Sequence, residues 1–176
     1  MSLLARIVAA LKAAEIRFAV VGASALPILG VSRATLDTDL LSTDPRCLDA
    51  TQWQALKDTG IQVDLRHGDA DDPLLGVVRF VQPGEINVDL VVGRYRWQTR
   101  ALERSRDLPV SGLLLPVVRG EDLILLKLFA GGPQDAWDVQ QALAGPQREE
   151  LVAAVERDLV DLPSSARRLW NQVLAA

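Results

Sequence analysis

Two aspartates, Asp37 and Asp39, stand two residues apart in the strand-like run Asp37-Thr38-Asp39-Leu40-Leu41-Ser42. Successive side chains of a strand point to opposite faces, so both carboxylates fall on one face. Like charges so placed repel, and the pair becomes favourable when a divalent cation sits between them; carboxylate oxygens suit hard cations such as Mg²⁺ or Mn²⁺. Asp89 lies in the apolar run Ile86-Asn87-Val88-Asp89-Leu90-Val91-Val92, where a lone buried carboxylate would be costly and needs a partner. If the two strands are neighbours, Asp89 completes a three-carboxylate cluster able to hold two metal ions about 3.5–4 Å apart, an arrangement suited to in-line phosphoryl or nucleotidyl transfer. The plainer reading makes Asp37 a cap, Asp39 a surface residue and Asp89 an edge-strand charge.

Composition narrows the chemistry. Cys47 is the single cysteine, which excludes an intramolecular disulfide and multi-cysteine zinc or iron–sulfur sites, and suits a reducing cytoplasm. His67 is the single histidine, so histidine-rich metal sites and Ser-His-Asp triads have little material. Any metal must therefore be held mainly by oxygen. The net charge of −4 argues against a surface that attracts nucleic acid as a whole. Arg96, Arg100 and Arg104, with Arg94 and Arg106 nearby, form one basic stripe, readable as an RNA or triphosphate contact or as a solvated, salt-bridged face. Arg6, Lys12 and Glu15 interrupt the apolar N-terminus, which reads as a first helix and neither a signal peptide nor a membrane span. Trp53, Trp97, Trp137 and Trp170 are scattered, without the spacing of a base-stacking platform, and are expected in the core or helix contacts.

With 176 residues, 49% of them hydrophobic, the chain fits one domain or a core with a small helical appendage. Apolar periodicity predicts a helix over 3–14, then a strand over 17–21 ending at Gly22, and a short helix to Gly30 with Pro27 in its first turn. A strand over 37–42 leads to a helix capped by Asp44 and running to about Thr59, then a strand over 61–65. Residues 74–81 and 86–92 form a hairpin around Gln82-Pro83-Gly84-Glu85. A helix over 95–106 and one short strand or extended piece within 108–118 follow. Four helices come last, over 121–129, 135–143, 147–159 and 166–174, parted by glycine and proline. The expected fold is α+β: a mixed sheet with an antiparallel hairpin flanked by helices, then a C-terminal helical bundle. Residues 1–118 are the expected core and 119–176 a helical region packed on it.

The chain also resembles a known family. Val21-Gly22-Ala23-Ser24, then Asp37-Thr38-Asp39-Leu40, then Val88-Asp89-Leu90 look like the signature of the nucleotidyltransferase superfamily founded on DNA polymerase β. The run through Gly30, Arg33, Thr35, Asp37 and Asp39 resembles its small bacterial AbiEii-like and minimal nucleotidyltransferases, as does Glu121-Asp122 through Lys127 to Asp135 and Asp138. Ala23 stands where the family usually has Gly or Ser, and Thr38 where it has an apolar residue.

The resemblance implies a nucleotidyltransferase fold and a Mg²⁺- or Mn²⁺-dependent enzyme moving a nucleoside monophosphate from an NTP to a hydroxyl of RNA, protein or a small molecule. It also implies a cognate toxin or antitoxin partner. In that mechanism Asp37 and Asp39 hold Mg²⁺ against the triphosphate, while Asp89 holds the second metal and helps activate the acceptor hydroxyl. Gly22 lets the backbone approach the phosphates, and Ser24 adds a hydroxyl donor at a helix start. Arg33 braces the triphosphate or pairs with a carboxylate, or is a plain surface arginine. Lys127, in an apolar helix, contacts phosphate or Asp135, or else snorkels; Asp135 is a nucleotide-site residue or a helix cap. Two further classes stay open. One is a noncatalytic nucleotide-binding or protein-interaction module of the same fold, for which Ala23 is the hint. The other is a metal-dependent phosphohydrolase.

Overall fold

The computed structural model describes residues 1–32 and 34–176; Arg33 lies outside the described residues. Helix α1 (Leu3–Ala13) buries the stripe Leu3, Leu4, Ile7, Val8 and Leu11, and the Ser2 hydroxyl caps it by accepting from the Ala5 N–H. Strand β1 (Ala19–Val21) ends at Gly22, whose positive φ turns the chain into a 3-10 helix over Gly22–Leu29. Because that helix begins at Gly22 itself, Pro27 falls near its end and not in its first turn, which corrects the sequence reading.

Strand β2 (Asp37–Ser42) is followed by a second departure. The single helix expected up to Thr59 is broken into 3-10 turns at Pro45–Leu48 and Ala50–Trp53 and a one-turn α2 (Gln54–Lys57). Two aspartates cause the break: Asp44 accepts from the Arg46 N–H and Asp49 from the Thr51 N–H, each starting its own turn. The Trp53 indole then donates to the Cys47 carbonyl and locks the segment under the sheet.

Strands β3 (Gln62–His67), β4 (Leu74–Val81) and β5 (Asn87–Gly93) form an antiparallel meander, followed by α3 (Arg96–Arg104). The 108–118 region is a hairpin, not one strand: β6 (Arg106–Val110) pairs with β7 (Leu113–Val117) across Ser111-Gly112, both at positive φ. A two-residue turn with both residues left-handed matches the twist of a hairpin. Helices α4 (Gly120–Ala130), α5 (Pro133–Leu143), α6 (Arg148–Asp158) and α7 (Ser164–Ala175) complete the chain, and α4 contacts each of the other three.

The strands make one mixed seven-stranded sheet in the order β3-β4-β5-β2-β1-β7-β6, with β2–β5 and β1–β7 parallel. Leu40, Val78, Phe80, Val88, Leu90 and Val92 bury one face of its central strands. Trp53 meets Phe80 edge-on there. The opposite face carries Asp37, Asp39, Asp89 and Arg79. The α+β architecture, with its antiparallel hairpin and helical C-terminal region, is the one expected.

Candidate active site

The period of two puts Asp37 and Asp39 on the same face of β2, and the parallel pairing of β2 with β5 sets Asp39 directly beside Asp89. Adjacent strands lie about 4.8 Å apart, so the three acids share one half-exposed face of the sheet. Thr35 fixes the entry to β2: its hydroxyl donates to the Asp37 carbonyl at 2.8 Å and accepts from the Asp37 N–H at 3.3 Å.

Gly22 is pressed against Asp39. A Cβ built there would stand 2.0 Å from Asp39 Oδ2, and φ is +63°, a conformation that disfavours any other residue. The glycine is thus required twice, once by the turn and once by the carboxylate behind it. Ser24 lines a different cleft, with Pro27, Ile28 and residues of β6 and β7. The structure does not bring it into the cavity at Asp39.

Asp89 is four-fifths buried, and its Oδ1 has no hydrogen-bond partner. Burial pushes its carboxyl above the ordinary range; the Arg79 charge opposes this and the Asp37 charge adds to it. Arg79, on β4 in register with Asp89, donates from Nη2 to Asp37 Oδ1 at 3.2 Å and places Nε 3.7 Å from Asp89 Oδ1, a charge pair without a hydrogen bond. The sequence reading missed this arginine. The signal was available, because counting outward from the turn at Gly84 pairs Arg79 with Asp89.

Beside Asp39 a cavity of about 270 Å³ opens between the sheet, the start of α3 and helices α4 and α5. Gly22, Asp39, Lys127 and Asp135 give it polar edges, while Leu41, Val91, Leu126 and Phe129 supply apolar wall. Three of the residues expected to bind nucleotide, Gly22, Lys127 and Asp135, therefore converge with Asp39 on one hollow. Lys127, almost fully buried, donates to Asp138 Oδ2 at 2.5 Å and to Asp135 Oδ1 at 3.2 Å, so its ammonium is already neutralised. Asp135 also caps α5 by accepting from the Gly132 N–H, so the pairing and capping readings both hold. Gln98, fully buried at the cavity edge, accepts from the Tyr95 N–H through Oε1.

The arginine stripe on α3 resolves as a clamp. Arg104 donates to Asp122 and Asp158, and Arg100 donates to Asp161, tying α3 to the C-terminal helices. Arg94 holds the Asp69–Leu74 loop through three backbone carbonyls. Trp53, Trp97 and Trp170 are buried as expected, whereas Trp137 is half-exposed at the start of α5.

Among the described residues, no group of three or more His, Cys, Asp or Glu is arranged to hold a metal ion. The residues nevertheless fit one in kind: three hard oxygen donors share one face, and one has a buried, unsatisfied oxygen. The Arg79 guanidinium is paired with both Asp37 and Asp89.

The mixed seven-stranded sheet with its flanking helices has counterparts of known structure. ANT(2'')-Ia, an antibiotic-resistance factor, superimposes over 88% of this chain and 88% of its own with a TM-score of 0.57 and 16% identity. This is the nucleotidyltransferase fold. Two more proteins share it: TM1012 of Thermotoga maritima (TM-score 0.54, 16% identity, 81% of this chain and 91% of that one) and the lincosamide antibiotic adenylyltransferase LnuA (0.51, 12%, 79% and 93%). No family model and no curated protein matches the sequence. Among the described residues, no helix of this nucleotidyltransferase fold is long and apolar enough to cross a membrane.

Proposed function

We propose that this chain is a divalent-metal-dependent nucleotidyltransferase that moves a nucleoside monophosphate from an NTP to an acceptor hydroxyl. The observation that carries the reading is the register of β2 and β5, which sets Asp39 beside Asp89 with Asp37 on the same face and Gly22 against Asp39. Residues 1–118 serve as the catalytic core, and residues 119–176 supply the wall of the cavity that faces it. Asp37 and Asp39 would hold Mg²⁺ or Mn²⁺ against the triphosphate. When bound, the metal supplies charge neutralisation to the phosphates. Asp89, pushed toward higher proton affinity by burial, is suited to take the proton of the acceptor hydroxyl. Gly22 keeps side-chain bulk away from the place the phosphates would take. The cavity beside Asp39 has apolar wall for a nucleoside, and Lys127 would reach a phosphate by leaving Asp135, the more distant of its two partners.

The acceptor we favour is a small molecule. The chain spans most of the length of ANT(2'')-Ia, seen in complex with adenylyl-2''-tobramycin, and of LnuA, seen bound to lincomycin. The resemblance to AbiEii-like and minimal nucleotidyltransferases supports RNA or a protein partner of a toxin–antitoxin pair as the other acceptors to test, in the reducing cytoplasm that a single buried cysteine suits.

The test is transfer of α-labelled ATP, CTP, GTP and UTP, with Mg²⁺ or Mn²⁺, into a cell extract fractionated into small molecules, RNA and protein, beside an Asp37→Ala/Asp39→Ala control. Label in one fraction, lost in the control, establishes the reaction and the acceptor class. Nucleotide binding without label in any fraction refutes it in favour of a noncatalytic module, and release of free phosphate alone refutes it in favour of a phosphohydrolase.

A further inference from the structure

One cation already stands among the acids of the site. Asp39, Asp89, Arg79 and Asp64 occupy consecutive strands in a single register row across β2, β5, β4 and β3. Arg79 thus has an acid on either side, and its choice between them is informative. Asp64 is taken up by Arg66, whose Nε donates to it at 3.0 Å. Arg79 turns the other way, past Asp89, and reaches Asp37, two strands from its own. Its guanidinium therefore lies between Asp89, the acid expected to hold a second metal ion, and Asp37, with N to O separations of 3.7 Å and 3.2 Å.

We propose that Arg79 is the built-in second cation of this site, holding Asp89 and Asp37 in place of a second metal ion, so that the chain takes a single divalent cation with its nucleotide. This rests on the nucleotidyltransferase reading above and deepens it. The physical case is charge and space. A planar five-donor cation pairs with carboxylates through directed hydrogen bonds and cannot be deprotonated near neutral pH, so it carries its charge into the gap at every working pH. A metal ion entering between Asp37 and Asp89 would have to displace it and would meet its repulsion; one bound at Asp37 and Asp39 would share only Asp37 with it, where Arg79 holds Oδ1. The guanidinium also neutralises part of the charge of the acids that share this face. Arg79 is on this view a positioning residue for Asp37, to which it is hydrogen-bonded, and a charge partner for Asp89.

The test is the number of Mn²⁺ ions bound per chain in the presence of a saturating non-hydrolysable ATP analogue, counted by electron paramagnetic resonance of free Mn²⁺ and by calorimetry, for wild type, Arg79→Gln and Arg79→Lys. The expected result is one Mn²⁺ for wild type and for Arg79→Lys, and two for Arg79→Gln, the added ion binding at least about tenfold tighter than any second ion detectable in wild type. Wild-type stoichiometry does not depend on how well the variants fold, and a melting curve for each variant establishes that the folded form is being counted. Two ions in wild type overturn the inference and leave the nucleotidyltransferase reading intact. One ion in both wild type and folded Arg79→Gln also overturns it, because the arginine then excludes nothing. No ion in any of the three overturns both the inference and the reading it rests on.

Discussion

Replacing Gly22 by alanine separates two effects that usually arrive together. The first is the left-handed backbone: φ is +63° at Gly22, and an L-residue there costs about 1–2 kcal/mol. The second is the collision with Asp39, whose Oδ2, Cγ and Cβ would lie 2.0, 2.7 and 2.9 Å from the new methyl. Ordinary contact begins near 3.5 Å, so the carboxylate must retreat by about 1.5 Å or the turn must shift, an overpacking cost of about 1–3 kcal/mol. Gly30 supplies the control, since its φ of +71° carries the same backbone demand while nothing lies within 4 Å of the methyl that an alanine would place there. Urea denaturation should therefore show Gly30→Ala losing about 1–2 kcal/mol and Gly22→Ala about 2–5 kcal/mol. Because a displacement of about 1 Å at a reacting centre is worth about 10²-fold in rate, Gly22→Ala should lose at least that much nucleotidyl transfer while Gly30→Ala keeps most of it. Adding Asp39→Ala to Gly22→Ala removes the two nearest atoms and leaves the Cβ at 2.9 Å, so the stability losses should be less than additive. Equal stability and equal transfer for the two glycine variants would refute the claim that Gly22 is shaped to Asp39.

Three further outcomes follow from buried charge. Lys127→Met strands Asp138, fully buried, without its cation and should cost about 3–5 kcal/mol in urea denaturation, much of it recovered in Lys127→Met/Asp138→Leu; a loss under about 1 kcal/mol would show that the pair contributes little. Arg104→Ala should destabilise far more than Asp122→Asn, because only the former leaves a buried carboxylate uncompensated. Burial raises the folded-state affinity of Asp122 for its proton, with Arg104 opposing, so its contribution to stability is full below the unfolded value near 3.8 and is lost as pH rises through the higher folded value. Melting temperatures should accordingly show Asp122→Asn gaining on wild type as pH rises from about 4 toward 7, and the opposite slope would contradict the sign. Cys47 is buried with its thiol pushed up to about 11 by desolvation, so a disulfide reagent at pH 8 should label it only at the rate of unfolding, and rapid labelling of the native protein would count against that burial.

Much of the site was legible locally. The alternation of a strand is enough to place Asp37 and Asp39 on one face, and the turn at Gln82-Pro83-Gly84-Glu85 is enough to register Arg79 against Asp89. Helix α1 follows from apolar spacing, and the breaks between the C-terminal helices follow from glycine and proline. Local pattern failed where two local choices competed: the Asp44 and Asp49 side chains offered the backbone turns in place of one helix, and Ser111-Gly112 turned an expected single strand into a hairpin. The rest belonged to the tertiary structure. That β5 joins β2 in parallel, with Asp89 level with Asp39, is a pairing between segments some fifty residues apart in the chain, selected by the burial of Leu40, Val88 and Leu90 on the far face. Equally nonlocal are the reach of Arg79 to Asp37, the capture of Lys127 by Asp138 and the use of Arg104 as a tie to Asp122 and Asp158. Sequence alone determined which groups could do the chemistry and which faces they occupy, because those depend on bond geometry within a few residues. Only the folded chain decided which opposite charges meet, because a long side chain has several partners within reach and the packing of distant elements selects among them.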